Sequence, residues 1–144
     1  MKKISMLLVA GIGMVAALQL TSCKKDSNSS TTTLVGTWGG QTANSKISMG
    51  GLVLLDTTMS ISSMTLTIKA DNSYNMVDAA DSTNNDNGTY ATSGTKLYMS
   101  SADGSKDTMD YTLTSSQLTL KSSTVDASSG TTITSDNTII FTKK

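Results

Sequence analysis

In Met64-Thr65-Leu66-Thr67-Ile68-Lys69 every second residue is apolar, and Thr fills the positions between. The same alternation runs through Asp110-Tyr111-Thr112-Leu113-Thr114 and Gln117-Leu118-Thr119-Leu120-Lys121. A period of two sends successive side chains to opposite faces of a strand, so Met64, Leu66 and Ile68 share one face and Thr65, Thr67 and Lys69 the other. Ser and Thr together make up about a third of the chain, far above ordinary usage. Such a composition also fits a disordered stalk, but a stalk has no reason to alternate. Thr is β-branched and suits the wet face of a pleated sheet.

Turn chemistry separates the alternating runs. Asp71-Asn72-Ser73 lies between the Met64 run and Tyr74-Asn75-Met76-Val77. Asn84-Asn85-Asp86-Asn87-Gly88 precedes Thr89-Tyr90-Ala91-Thr92, and Ser93-Gly94 leads to Lys96-Leu97-Tyr98-Met99. Asp103-Gly104 and Ser115-Ser116 mark two further hairpins. With runs at Ile47–Leu55, Thr131–Thr134 and Thr138–Thr142, the spacing predicts eight to ten short antiparallel strands, an all-β sandwich or barrel without crossover helices. In Ile47–Leu55, Gly50-Gly51 reads as a bulge, a hairpin turn or a flap hinge. Leu52–Leu55 then reads as a kinked buried strand or as a lid.

The first residues carry a different signal. Lys2-Lys3, an apolar stretch from Ile4 to Leu20 and small residues before Cys23 have the three parts of an export signal. Ser5, Gly11, Gly13 and Gln19 interrupt the stretch, which makes it a poor permanent span. Leu20-Thr21-Ser22-Cys23 resembles the lipobox of bacterial lipoproteins. That resemblance implies a signal peptide over residues 1–22, cleavage before Cys23, and a diacylglycerol and a palmitate-type acyl chain on that residue. It is the only cysteine, so no disulfide forms within the chain. Residues 23–33 hold nothing apolar after Cys23 and read as a tether, spanning roughly 15–20 Å as a flexible coil. Lys24, where an inner-membrane retention signal would place Asp, points to the outer membrane, lipid-anchored within the cell envelope.

Absences narrow the chemistry. The sequence has no His, Arg, Glu or Pro. Ser-His-Asp and Cys-His catalysis cannot be assembled from it, zinc lacks its usual ligands, and no phosphate-cradling Gly-Lys-Ser/Thr loop occurs. Without Lys2 and Lys3 the balance of 11 basic against 11 acidic residues tips slightly acidic, which excludes a nucleic-acid face. An Asp pair is enough for glycoside hydrolysis, but a sugar cleft normally carries more aromatics than this chain has. Asp78–Gly88 is rich in oxygen ligands but misses the EF-hand spacing, and reads as a solvated turn. The methionines lack the His or close Met pair of a copper site. The expectation is a non-enzymatic protein with no metal and no cofactor.

Leu34-Val35-Gly36-Thr37-Trp38-Gly39-Gly40 contains the only Trp, where the tether gives way to the alternating runs. Gly-x-Trp at the start of an all-β domain resembles the opening motif of the lipocalin-like proteins. Lys69–Tyr74, Asn87–Leu97, Tyr111–Leu120 and Ile139–Lys144 are similar to that family's later strand-turn steps. The resemblance implies an antiparallel up-and-down β-barrel of about eight strands over residues 34–144, entered by a short helical turn, with Trp38 plugging its closed end. Many members set an Arg over this Trp; here only Lys143 or Lys144 can take that place. A barrel of this size is either filled by its own side chains or holds one small ligand. Met64, Leu66, Ile68, Met76, Met99, Tyr111 and Leu113 are the candidate ligand-lining residues. Two functions follow: a tethered protein binding a small apolar molecule or lipid, or a solid barrel that docks another envelope protein.

Overall fold

A computed structural model describes residues 32–127 and 130–144. The signal segment 1–22, Cys23 and the tether up to residue 31 lie outside the described residues. Among the described residues nine strands occur: β1 (Gly36–Met49), β2 (Leu52–Ser60), β3 (Met64–Ile68), β4 (Ser73–Asp78), β5 (Asp86–Ser93), β6 (Lys96–Ser101), β7 (Lys106–Leu113), β8 (Gln117–Asp126) and β9 (Ile133–Lys143). The helical element among the described residues is one 3-10 turn, Ser82–Asn84. Residues 32–35, the described approach to β1, hold no helical turn of the kind the resemblance implied.

Every neighbouring pair is antiparallel, and β9 returns to β1 along Trp38–Met49, which closes an eight-stranded up-and-down barrel from β1 and β3 to β9. Closure leaves these eight strands no free edge, the main hazard of an open sheet. The register places alternate residues inside: Trp38 faces Leu66, Leu66 faces Met76, and Leu118 faces Phe141. Trp38, Leu66, Ile68, Tyr74, Leu97, Met99, Leu118, Leu120 and Phe141 form one buried core. The period-two runs are thus the inner faces of β3, β7 and β8.

β2 is the addition. β1 is long, and β3 covers only its first residues, Gly36–Gly39. Along the same edge β2 pairs with the rest, Thr42–Met49. Gly50 and Gly51 make the connecting turn with φ of 57° and 87°, the positive pair that a two-residue hairpin demands. The register slips between Ile47 and Ser48, a bulge that sets Leu54 out of step. This segment is a bulged hairpin and not a buried strand: every residue from Leu52 to Ser60 is exposed.

Strand direction gives the barrel two unlike ends. The turns β3–β4, β5–β6 and β7–β8, with the start of β1 and the end of β9, gather around Trp38. The turns β1–β2, β4–β5, β6–β7 and β8–β9 ring the opposite end.

Candidate functional site: a small cavity at the open end of the barrel

Trp38 seals the first end. It is fully buried, its indole Nε1–H donates to the Leu34 carbonyl at 2.9 Å, and the Lys143 ammonium stands 5.5 Å from the ring centroid. Lys143 is the register partner of Trp38 on β9, so the ladder itself carries the cation to the ring face. Ile68, Leu97 and Leu118 share its buried core, and Leu113 packs against that core.

Between the plug and the open end lies a cavity of about 150 Å³. Leu66, Met76, Met99, Met109, Leu120, Ile139 and Phe141 supply its apolar wall. Its polar groups are Tyr74, Asp86 and Asp107. Asp86, opposite Met76, and Asp107, opposite Met99, sit on the inner face by the same alternation that places the apolar residues there. The Tyr74 hydroxyl donates to Asp86 Oδ2 at 2.5 Å, and the Ser101 hydroxyl donates to Asp86 Oδ1. Burial, reinforced by the hydrogen bond to Asp86, pushes the Tyr74 phenol up to about 12. Asp107, exposed at the mouth, adds its charge in the same direction.

A shallower basin of about 420 Å³ adjoins the cavity at Met76 and is lined by Met59–Ile61, Ser63, Met64, Asp78 and Asn84. Asp78 is tied down within it. Ser63 and the Asn84 amide donate to its carboxylate, the latter at 2.9 Å, as does the Ala80 backbone N–H, and these bonds hold it at about 2. Asp81 accepts from the Thr83 N–H and hydroxyl as the cap of the 3-10 turn. These oxygens are spent on the turn's own donors, and no cluster of three metal-binding side chains occurs among the described residues.

Of the seven candidate lining residues, Leu66, Met76 and Met99 meet at the cavity. Met64 lines the basin instead, being one step nearer the rim on β3. Ile68 belongs to the buried core and Tyr111 and Leu113 pack against it; none reaches the cavity, because they sit on the inner face toward the Trp38 end. Tyr74, Asp86, Ser101 and Asp107 escaped the sequence reading. A signal existed: counting back by twos from Tyr90 reaches Gly88 and Asp86, and from Tyr111 reaches Met109 and Asp107.

The family model for the lipocalin-like domain matches residues 34–120, more than half of the 144 residues. The chain belongs to the lipocalin-like domain family. No curated protein and no solved structure gives a significant match. In this lipocalin-like chain the matched span begins at Leu34, whose carbonyl holds the Trp38 indole, and ends at Leu120 in the cavity wall.

Proposed function

We propose that this lipocalin-like chain is a non-enzymatic, lipid-tethered protein of the cell envelope that binds a small apolar molecule in its barrel. The observation that carries the reading is the apolar cavity beneath an open mouth, in a barrel whose other end is plugged by Trp38. Its size narrows the ligand. Drug-sized pockets run about 300–1,000 Å³, whereas an apolar cavity of about 150 Å³ accommodates benzene. A compact molecule fits and a fatty acyl chain does not. The tether rests on the lipobox-like run ending at Cys23, and the outer membrane on Lys24. Two or three acyl chains hold a protein firmly, at about 0.8 kcal/mol per buried methylene.

Native mass spectrometry of the full chain should show a small adduct that is lost when Met99 and Met109 are both enlarged to Phe. An apo mass alone, with no uptake from a small-molecule panel, overturns the binding reading. Cys23→Ala should move the protein from the membrane to the soluble fraction, and unchanged membrane association overturns the tether.

One observation favours a second reading, docking of an envelope protein. β2 pairs only with β1 among the described residues, and Leu52, Val53, Leu54, Leu55 and Met59 on it are exposed. An unpaired apolar edge is a template for an added strand, so the occupant would be an extended segment of the partner laid along β2. Val53→Pro, which removes a ladder donor, should abolish such a complex and leave cavity binding intact.

A further inference from the structure

The ligand's chemistry can be taken one step further than its size, and this step rests on the small-molecule reading above. The cavity wall is apolar, but its charged groups are all of one sign. Asp86 and Asp107 line it; among the described residues no lysine does, and the chain has no Arg or His. The one phenol at the site is already committed, since the Tyr74 hydroxyl donates to Asp86. A ligand carboxylate would therefore find no free side-chain donor and two like charges, which disfavour its ionised form.

A ligand with a donor finds the opposite. A carboxylate offers about four lone-pair sites, and Tyr74 and Ser101 occupy two of those on Asp86. Asp107 forms no ion pair with a described lysine and stands exposed at the mouth. From this geometry we infer that the cavity takes a small organic cation: an apolar body on the order of eight non-hydrogen atoms among Met76, Met99 and Met109, with an ammonium group between Asp86 and Asp107.

The test uses the full chain with isotope-labelled methionine methyl groups and three probes of similar shape: benzylamine, toluene and benzoate. The methyl signals of Met76, Met99 and Met109 report occupancy directly. Benzylamine should bind about tenfold more tightly than toluene, the usual advantage of a charge-assisted hydrogen bond, and benzoate should be weaker than toluene. Asp107→Asn and Asp86→Asn should each collapse the preference for benzylamine over toluene, read as the ratio of the two affinities in the same variant. Should Asp86→Asn disturb the fold through Tyr74, the exposed Asp107 variant decides. Toluene binding as tightly as benzylamine, or a benzylamine preference that survives both substitutions, overturns the cation assignment and leaves the small-molecule reading standing. If no probe moves the three methyl signals, both fall together.

Discussion

Replacing Tyr74 with Phe removes one oxygen from the cavity wall and leaves the ring of a residue only 3% exposed in place. The main loss is the hydrogen bond to Asp86 at 2.5 Å; the contact with the Ser101 hydroxyl at 3.0 Å goes with it. Hydrogen bonds to charged groups contribute about 1.5–3 kcal/mol, and water entering at the mouth replaces part of this one. The expected cost is therefore the lower half of that range, about 1.5–2 kcal/mol, or a fall in Tm of roughly 6–12 °C for a domain of this size. The pH dependence separates this cause from simple packing. The folded phenol titrates at about 12, above its ordinary 10.0. Below pH 10 both states keep the proton and the contribution is whole; between 10 and about 12 only the unfolded chain releases it, so stability falls. The Phe variant has no such proton. Urea denaturation of both proteins from pH 7 to 11.5 should show a gap that narrows above pH 10. A gap under 0.5 kcal/mol at pH 7 (about a quarter of the expected value), or one constant to pH 11.5, refutes the reasoning.

Three other outcomes follow from local geometry. Gly88→Ala would place a methyl 2.0 Å from the Ser100 carbonyl oxygen, where only backbone can yield, so calorimetry should record a loss of about 3 kcal/mol; Gly94→Ala, with open space but φ of 58°, should cost only about 1–2 kcal/mol. Asp78 is held at about 2, below its ordinary 3.8, so its contribution is complete above pH 4 and disappears as pH falls through 2; Asp78→Asn should flatten that part of the acid limb in a Tm series from pH 5 to 2. Lys143→Met should cost about 0.5–1 kcal/mol in the parent and nothing in a Trp38→Leu background, a coupling that a double-mutant cycle by chemical denaturation reads directly.

The sequence reading succeeded where one physical rule acted alone. Alternation in Met64–Ile68 and Gln117–Lys121 reports burial on one face, and Leu66, Ile68, Leu118 and Leu120 are buried accordingly. It fell short where two demands overlap. Leu52-Val53-Leu54-Leu55 carries no alternation, because β2 faces no core on either side, and a continuous apolar run looks the same whether a strand is buried twice or not at all. Asp86 was hidden by its neighbours: within Asn84–Gly88 it looks like turn material, although β5 has already begun and turned it inward. The Lys143–Trp38 pairing was readable only through the resemblance, since it joins residues at opposite ends of the domain.

The two ends of the barrel divide its chemistry, and the division explains why so plain a composition suffices. At the plugged end Trp38, Phe141, Leu97 and Leu118 are buried almost completely, and close packing there fixes the register of the strands that carry them. That leaves the rim free to depart from the hydrophobic rule. There the alternation continues, but Asp86 and Asp107 take inner positions that apolar residues hold lower down. A carboxylate at such a position costs stability unless donors reach it, and Tyr74 and Ser101 supply them to Asp86. Their presence makes the carboxylate tolerable beside Leu66 and Met76, and it also fixes where a ligand's positive end would lie. Structure and recognition thus share one hydrogen-bond set, which is why the Tyr74 and Asp86 substitutions should alter stability and ligand preference together, while Asp107→Asn should alter preference alone.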